Sequence, residues 1–262
     1  AALQGELAAA VEESRRHEAP FGAQTIDGRP RYDIAPDHSA SAPALRRMNN
    51  PSEVSDAFRD VMEHSATVDM VADLIGSAKF HHDKVNLKLP GGSTQVAWHQ
   101  DFAYTPHTND DVITALIMVD DMNTENGCLK AVPGSHRGPV YSLFAGDTFT
   151  GFIDPDVVSD LVTKEHGIYG SAGSVCLMHT RLAHGSDANL SDRSRTLYIC
   201  VYTANDAFPL AANPMPNPDE GRVLRGEPTR AARLTAATVE LPAQPKRASF
   251  FDVQAEGAVV SE

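Results

Sequence analysis

The sequence predicts a mainly β protein with flanking helices, built on a two-sheet barrel of the jelly-roll kind. Two observations support this fold class. Short segments that follow Gly76 are rich in β-branched residues or alternate between apolar and polar positions, and turn-forming residues bound many of them. Stretches rich in helix formers lie mainly ahead of these segments. The interior of such a barrel can hold a cofactor and a small ligand.

Three helices are expected in the N-terminal part of the chain. The first covers ALQGELAAAVEESRR, at residues 2–16. The second covers SEVSDAFRDVMEH, where Ser52 follows Pro51 as the expected N-cap. The third covers TVDMVADLIG and is expected to end at Gly76, because glycine adopts the left-handed conformation that terminates helices.

The strands expected for the barrel are KVNLKL, TQVAWHQ, DVITALIMVDD, CLKAVPG, GSVCLMHT and RTLYICVYT. A helical insert, PDVVSDLVTK, and a loop, AGDTFTGFIDP, interrupt them. Residues 205–230 are dense in Pro, Asn and Arg, which is typical of an ordered loop or lid. We therefore expect one domain over residues 1–262, with a helical part at 1–80, a jelly-roll core at 81–204 and a loop-rich tail at 205–262.

Charge and composition exclude several classes of partner. The chain carries 35 acidic and 22 basic residues, a net charge of -13 without a long basic run, which argues against nucleic acid or an anionic membrane as a partner. No apolar run approaches the roughly 18 residues of a membrane span. Three cysteines without C-x-x-C spacing are typical of buried reduced thiols. We expect a soluble cytoplasmic protein whose oligomeric state the sequence does not indicate.

The stretch VAWHQDFAY, at residues 96–104, combines an apolar strand pattern with an imidazole and a carboxylate. In a strand, residues two apart share a face, so His99 and Asp101 are expected to project together, opposite Gln100 and Phe102. A histidine and an aspartate supply two of the three ligands of the two-His-one-carboxylate site that binds Fe(II). The third ligand must then be a second histidine.

His184 is the strongest candidate for the third ligand, because Gly185 and Ser186 after it are small and leave room for a bound molecule. His179 is a rival on the preceding strand.

A second H-x-D match occurs at His81 and Asp83. We expect that pair to be solvated in the polar cluster HHDK at the start of a strand, and we expect His136 to lie in a turn.

Arg195 opens the expected strand RTLYICVYT, shortly after His184. A planar guanidinium binds a carboxylate through two parallel hydrogen bonds, as the anchor of a dicarboxylate cosubstrate requires. The alternative is an ordinary surface arginine on a strand. Arg193 and Arg181 are the next candidates for the anchor.

The motifs WHQD, VPGSHRG, HGSDANLSDRSR and GRVLRGEPT occur in this order along the chain. With the intervening DDVITALIMVDDMNTENGCLKAVPGSH, they resemble the phytanoyl-CoA dioxygenase family of Fe(II)- and 2-oxoglutarate-dependent oxygenases over about residues 84–230. The resemblance implies a double-stranded β-helix, or cupin-like, core. It also implies iron held by His99, Asp101 and His184, and 2-oxoglutarate held by Arg195 with lesser contacts from Ser186 and Gln100.

The resemblance further implies an oxygenase that consumes 2-oxoglutarate and O2, releases succinate and CO2, and hydroxylates or otherwise oxidises a small molecule. Two other functions stay open: a catalytically silent cupin-like binding protein, and a zinc-dependent hydrolase that uses the same three ligands. A radical halogenase of this fold would have a small residue in place of Asp101, so the carboxylate argues against that reaction.

The family is broad and does not fix the substrate. The loop TPHTNDD after the H-x-D motif lacks the basic residues that coenzyme A would require. We therefore expect a small soluble metabolite with a cationic or hydroxylated group. Its expected contacts are Phe102, Tyr104 and His107 on one side, and the GDTFTGF loop with Arg225 on the other.

Overall fold

Two antiparallel sheets form the core of the protein. The computed structural model describes residues 1–235, 237–245 and 248–260. Within these residues the helices are α1 (Ala2–Ser14), α2 (Asp56–His64), α3 (Ala66–Ile75), α4 (Asp101–Tyr104), α5 (Pro155–Leu161) and α6 (Phe250–Val260). The strands are β1 (Tyr32–Ile34), β2 (Leu45–Asn49), β3 (Ala78–Lys88), β4 (Val96–His99), β5 (Val112–Met118), β6 (Leu129–Ala131), β7 (Phe144–Ala145), β8 (Thr148–Phe149), β9 (His166–Ile168), β10 (Val175–His179), β11 (His184–Ser186), β12 (Arg195–Thr203) and β13 (Val223–Arg225).

The larger sheet has the strand order β1-β2-β3-β12-β5-β10, and β13 also pairs with β3. The smaller sheet has the order β4-β11-β6-β9, and β7 pairs with β8 in a separate hairpin. Leu129 of the smaller sheet packs in one buried cluster with Leu116 and Leu197 of the larger sheet. The mainly β jelly-roll fold predicted from the sequence is confirmed.

The three N-terminal helices lie where the sequence predicts them, but the N-cap of α2 is Ser55 rather than Ser52. The Ser55 hydroxyl accepts a hydrogen bond from the Phe58 amide at 3.3 Å. Ser52 lies instead in a 3-10 turn at Pro51–Glu53, which follows a left-handed Asn50 with φ 44°. This turn delays the start of the helix. α3 ends at Gly76, which adopts φ 78° as expected.

Several elements do not follow from the sequence patterns. β1 and β2 lie within the part that is expected to be helical, and β13 and α6 lie within the tail that is expected to be a loop. β2 has the sequence LRRMN, which carries two arginines, yet all five residues are buried. Pairing of β2 with β3, rather than local alternation, places these residues in the sheet.

The cluster HHDK lies in the interior of β3 and is not solvated, contrary to the sequence-based expectation. Asp83 is fully buried, and its carboxylate accepts hydrogen bonds from the Ser52 amide at 3.0 Å and the Tyr198 hydroxyl at 2.9 Å. Burial raises the pKa of Asp83 to about 6, although the hydrogen bonds from Tyr198 and Ser52 act in the opposite direction.

Two tyrosines of β12 tie the larger sheet to α2. The hydroxyl of Tyr198 lies 3.1 Å from the Phe58 carbonyl oxygen, and the hydroxyl of Tyr202 donates to the Met62 carbonyl at 2.9 Å. The cysteines Cys128, Cys176 and Cys200 are free, as expected. None of the helices in the described part of the chain has the length and apolarity that crossing a membrane requires.

We predict that Tyr198→Phe lowers the free energy of unfolding by about 1–3 kcal/mol, because the buried carboxylate of Asp83 loses a donor. The raised pKa of Asp83 means that its stabilising effect is complete below about pH 4 and is lost as pH rises through about 6. Loss of the hydroxyl raises this pKa further, so the substitution costs more at pH 8 than at pH 5. Urea unfolding at both pH values measures this difference.

The matched control is Tyr169→Phe. Because Tyr169 is 57% exposed, removal of its hydroxyl should change the free energy of unfolding little. Equal costs for Tyr198→Phe at pH 5 and pH 8 would contradict the role assigned to Asp83.

Candidate active site

Three side chains from two neighbouring strands and a short helix converge inside the barrel. β4 ends at His99, α4 begins at Asp101, and His184 at the start of β11 lies directly opposite His99 in the antiparallel pair. The Oδ1 atom of Asp101 lies 3.4 Å from His99 Nε2 and 3.7 Å from His184 Nε2. One ligand atom from each residue lies within 4.8 Å of the other two, so the three can bind one metal ion.

Asp101 lies on a different element from the one that the sequence predicts. It is the first residue of α4 rather than a strand residue, so the alternation of a pleated strand does not place it beside His99. The chain is still extended at Gln100, with φ -120° and ψ 127°, and turns into the helix only afterwards. The structure therefore brings His99 and Asp101 together, but Asp101 lies on a helix and not on the strand that the sequence predicts.

Hydrogen bonds to the backbone orient both imidazole rings. His99 Nδ1 lies 2.8 Å from the Ala97 carbonyl oxygen, and His184 Nδ1 lies 2.9 Å from that of Leu182. Because a carbonyl oxygen only accepts, each Nδ1 carries the hydrogen and each Nε2 offers its lone pair to the site. Thr114 Oγ1 donates to Asp101 Oδ2 at 2.7 Å, which leaves Oδ1 directed at the histidines.

The protonation states suit a divalent cation. Burial lowers the pKa of His184 to about 4, and His99 lowers it further while Asp101 opposes the change. Burial disfavours the ionised form of Asp101, but His184, His99 and Lys84 outweigh it and hold the pKa of Asp101 well below its usual value. Near pH 7 His184 is therefore neutral and Asp101 is ionised. Two imidazoles and one carboxylate are the donor set of non-haem Fe(II).

The rival metal ligands do not form such a group. Within the described ranges, His99, Asp101 and His184 are the only cluster of three or more His, Cys, Asp or Glu residues that could bind a metal ion. His81 packs against His82 and His107 instead, with its Nδ1 2.6 Å from that of His82. His136 lies in a 3-10 turn, as expected, and its ring lies near that of His179.

A cavity adjoins the three ligands, and we call it the inner cavity. Its polar lining consists of His99, Asp101 and His184 together with Arg47, Lys84, Asn86, Lys88, Thr94, Thr114, Ser186 and Arg195. The cavity therefore brings the predicted metal ligands together with Arg195 and Ser186.

Arg195 is positioned by the backbone rather than by an acid. Its side chain is buried, and Nε and Nη2 donate to the Gly127 carbonyl at 3.0 and 2.9 Å. Burial lowers the pKa of Arg195 to about 10, so the guanidinium remains charged at pH 7. No ion pair between Arg195 and a carboxylate is found within the described residues. The charge is thus available to an anionic ligand.

Sequence reasoning missed Lys88, which lies beside Arg195 in the pairing of β3 with β12. Lys88 Nζ donates to Ser186 Oγ at 2.7 Å and to the Asp187 carbonyl. Burial lowers the pKa of Lys88 to about 6, and Arg195 lowers it further. The alternation in KVNLKL contained the signal, because residues 84, 86 and 88 share one face of the strand and all line the cavity.

A second cavity, the outer cavity, continues from the first. It is lined by Arg29, Arg47, His82, Lys84, Asp101, Tyr104, Thr105, Val201, Pro214, Met215, Gln244 and Phe250. Four of these residues, Arg47, Lys84, Asp101 and Phe250, also line the inner cavity. A further cavity among residues of the tail shares Arg29, Tyr104, Pro214 and Gln244 with the outer one. The three cavities thus adjoin one another along a route from the tail to the proposed metal ligands.

Tyr104 is the one predicted substrate contact that lines this route. Its hydroxyl donates to the Gly151 carbonyl, and its ring lies 5.7 Å from the rings of His99 and Phe149. No residue of the GDTFTGF loop lines the inner or the outer cavity, contrary to the expected substrate contact; the loop instead packs behind Tyr104.

Four other predicted residues lie outside both cavities: Phe102, His107, Arg225 and Gln100. Phe102 packs in a cluster with Val112 and Val201, and His107 packs against His81. Arg225 donates to Asp69 Oδ1 at 2.6 Å, on the side of the sheet that α2 and α3 cover.

Gln100 is fully buried, and its side-chain amide donates to the Pro139 and Arg181 carbonyls and accepts from the Tyr141 amide. These hydrogen bonds occupy the polar atoms of Gln100, so it orients the chain ahead of Asp101 rather than facing a ligand.

Comparisons with known proteins agree with this site. A family model described as "Phytanoyl-CoA dioxygenase (PhyH)" matches residues 6–197. A probable alpha-ketoglutarate-dependent hypophosphite dioxygenase of Stutzerimonas stutzeri is 33% identical over 216 residues, or 80% of this chain and 74% of that protein. A 2-aminoethylphosphonate dioxygenase of an uncultured bacterium is 33% identical over 137 residues, or 51% of this chain and 49% of that protein. The apoform of EctD from S. alaskensis superposes with a TM-score of 0.63 at 20% identity, covering 86% of this chain and 79% of that one.

A two-His-one-carboxylate site inside a double-stranded β-helix defines a non-haem iron oxygenase. Other structures of EctD contain Fe, or 2-oxoglutarate with 5-hydroxyectoine. The chain belongs to the phytanoyl-CoA dioxygenase family. It is an Fe(II)- and 2-oxoglutarate-dependent dioxygenase that acts on a small molecule.

We predict that His99→Ala, Asp101→Ala and His184→Ala each abolish tight Fe(II) binding, because two remaining ligands hold this weakly binding ion poorly. Anaerobic equilibrium dialysis with metal analysis of the folded variants measures the loss. His81→Ala is the control: it removes a buried histidine of the rival motif, and iron binding should survive. Loss of iron from the His81 variant, with retention by the His99 variant, would show that the other H-x-D pair binds the metal.

We predict that Thr114→Val weakens Fe(II) binding by about 10- to 100-fold, because Asp101 loses the donor that orients its carboxylate. The same dialysis measures this affinity. Thr163→Val, on the protein surface, is the matched control and should bind iron like the unmodified protein. Equal affinities for the two variants would mean that the Thr114 hydroxyl has no role in orienting Asp101.

Proposed function

We propose that this dioxygenase holds Fe(II) with His99, Asp101 and His184, and binds 2-oxoglutarate in the inner cavity with its distal carboxylate on Arg195. The observation that carries the proposal is a buried guanidinium without a carboxylate partner in the same cavity as three converged metal ligands. A dicarboxylate satisfies both ends of such a cavity, because one carboxylate can reach the metal while the other pairs with the arginine.

The residues around Arg195 prepare the site for a carboxylate. Lys88 holds the Ser186 hydroxyl by donating to it at 2.7 Å, so the Ser186 hydrogen is free to point toward a ligand. Gly127, whose carbonyl accepts both Arg195 donors, fixes the plane of the guanidinium. A preformed anchor of this kind lowers the entropy cost of binding the cosubstrate.

Bound Fe(II), with 2-oxoglutarate and O2 as cosubstrates, supplies the oxidation of the substrate and yields succinate and CO2. The protein contributes position and exclusion of water. Phe250 lies 5.4 Å from the His99 ring and the same distance from Tyr104, so aromatic walls separate the metal ligands from solvent. His99 and His184 keep their Nε2 lone pairs available because their Nδ1 hydrogens are engaged by carbonyls.

The two alternative functions are less consistent with these observations. A zinc hydrolase or a silent binding protein would not require a buried, unpaired Arg195 beside the metal ligands. The named relatives are dioxygenases, including one that depends on alpha-ketoglutarate.

We also propose that the substrate is a small polar metabolite rather than a coenzyme A thioester. The relatives reported above are named for hypophosphite and 2-aminoethylphosphonate, which are compact molecules. The outer cavity is walled by Tyr104, Met215 and Phe250 and offers limited space beside the metal ligands. Its basic lining does not favour the cationic group that the sequence suggested, because Arg47 and Lys84 would repel such a group.

We propose a cytoplasmic location, supported by three free cysteines. The net charge of -13 supports the absence of nucleic acid or anionic membrane among the partners.

We predict that Arg195→Gln weakens 2-oxoglutarate binding by about 2 to 5 kcal/mol, because it removes one partner of a buried charge pair. Anaerobic calorimetry with the Fe(II)-loaded protein measures the affinity, and iron binding should survive. Arg193→Gln is the matched control because Arg193 is exposed. An unchanged affinity in the Arg195 variant would mean that another basic residue of the cavity binds the distal carboxylate of 2-oxoglutarate.

A further inference from the structure

Arg47 is a buried cation with an unused donor. It lies on β2 with only 4% of its surface exposed, and it lines both the inner and the outer cavity. Its Nε donates to Asn86 Oδ1 at 3.0 Å, whereas its buried Nη2 has no hydrogen-bond partner within the described residues. An unpaired buried donor of a charged group is costly, and such groups concentrate at binding sites.

Two aromatic rings of α6 hold the Arg47 guanidinium in place. Its central carbon lies 4.9 Å from the centre of the Phe250 ring and 4.7 Å from that of Phe251. Stacking leaves the edge of a guanidinium free for hydrogen bonds. Phe250 lines both cavities as well, so Arg47 and the ring stacked on it lie where the two cavities adjoin.

A second cation, Lys84, lies close enough to Arg47 for the two to repel each other. Burial lowers the pKa of Lys84 to about 8, and the charge of Arg47 lowers it further, while Asp101 opposes the change. Lys84 also lines both cavities. Asp101 is the only acidic residue among those that line either cavity, and it is already a proposed metal ligand. Within the part of the chain that the structure describes, neither Arg47 nor Lys84 forms an ion pair with a carboxylate.

The other charges of the loaded site cancel without Arg47. Fe(II) would bring two positive charges and Arg195 brings one, and these match one negative charge on Asp101 and two on 2-oxoglutarate. Lys88 adds little charge near pH 7, because burial lowers its pKa to about 6. Arg29 in the outer cavity is neutralised by Asp27, to which it donates through two nitrogens. Arg47 and Lys84 therefore leave the site with an excess of positive charge that only a further ligand can balance.

We infer that the substrate carries a compact oxyanion that binds between Arg47 and Lys84, where the inner and outer cavities meet. The inference rests on the proposed iron and 2-oxoglutarate sites. The oxyanion is a carboxylate or a phosphorus oxyanion, because both present oxygen acceptors to a guanidinium edge. Because Arg47 and Asp101 line the same two cavities, a small substrate held on Arg47 places its adjacent hydrogen toward the metal ligands.

Anaerobic calorimetry tests this inference with five probes: hypophosphite, methylphosphonate, acetate, ethanolamine and ethylene glycol. Each is titrated into the protein loaded with Fe(II) and 2-oxoglutarate. The three anions should bind, whereas the cation and the neutral diol should not. A preference between the phosphorus oxyanions and acetate identifies which oxyanion the site takes. Binding of ethanolamine alone, or of no anion at all, overturns the inference.

Variants at position 47 then locate the anion. Arg47→Met should weaken binding of the preferred anion by about 10- to 100-fold, the effect of losing a hydrogen bond to a charged group. Arg47→Lys should restore part of this loss. Arg29→Met is the matched control, because it removes a cavity arginine that Asp27 already neutralises, and anion affinity should stay within about twofold. Equal losses in the Arg29 and Arg47 variants overturn the inference.

Titration of the same variants with 2-oxoglutarate separates this inference from the proposed function. Arg47→Met should bind 2-oxoglutarate normally, and a thermal melt confirms that the variant is folded. If Arg47→Met loses 2-oxoglutarate instead of the anion, Arg47 belongs to the cosubstrate and the inference fails while the dioxygenase site stands. If the unmodified protein binds no 2-oxoglutarate, the proposed function fails.

Discussion

The pairing of β4 with β11 is the constraint on which the active site depends. This register sets His184 directly opposite His99, and the turn into α4 after Gln100 brings Asp101 between them. Each ring is then held by a carbonyl two residues earlier in its own chain segment. A one-residue slip in the pairing would move His184 to the other face of its strand and leave the metal with two ligands.

The interior of the barrel is positively charged, although the whole chain carries a net charge of -13. Arg47, Lys84, Lys88 and Arg195 line one cavity whose acidic lining is limited to Asp101. Burial lowers the pKa of all four, because charge is costly to hold away from water. Arg47, Lys84 and Arg195 remain charged near pH 7, whereas Lys88, with a pKa of about 6, is largely neutral there. The free-energy cost of these buried cations is offset when an anion binds beside them. The negative net charge of the whole chain therefore does not predict the charge of the ligand that the cavity binds.

Local chemistry made part of the site predictable. The H-x-D spacing, the small residues after His184 and the arginine that opens β12 are short-range features. They point to the three proposed metal ligands and to Arg195 without knowledge of the fold. The prediction that Asp101 lies on a strand was wrong. The strand-like sequence pattern continues through Phe102, but the backbone turns into a helix at Asp101. Apolar residues fit either conformation there, so the periodicity carries no signal of the change.

The remaining residues depend on long-range packing. LRRMN shows two adjacent arginines and no strand pattern, and only its place beside β3 turns Arg47 into a cavity residue. Arg225 was predicted to contact the substrate, but β13 pairs with β3 on the side of α2 and α3, where Asp69 neutralises the charge of Arg225. Phe250 of α6 packs on Arg47 and His99, which lie far from it in the sequence. No local sequence pattern therefore predicts these contacts.

The most direct test of the account is a crystal structure of the protein grown without oxygen in the presence of Fe(II) and 2-oxoglutarate, with iron located by its anomalous scattering. The account predicts one strong iron peak bounded by His99 Nε2, His184 Nε2 and Asp101 Oδ1, with the distal carboxylate of 2-oxoglutarate on Arg195. An iron peak at His81 and Asp83, or a distal carboxylate on Arg47 with Arg195 unengaged, would contradict it.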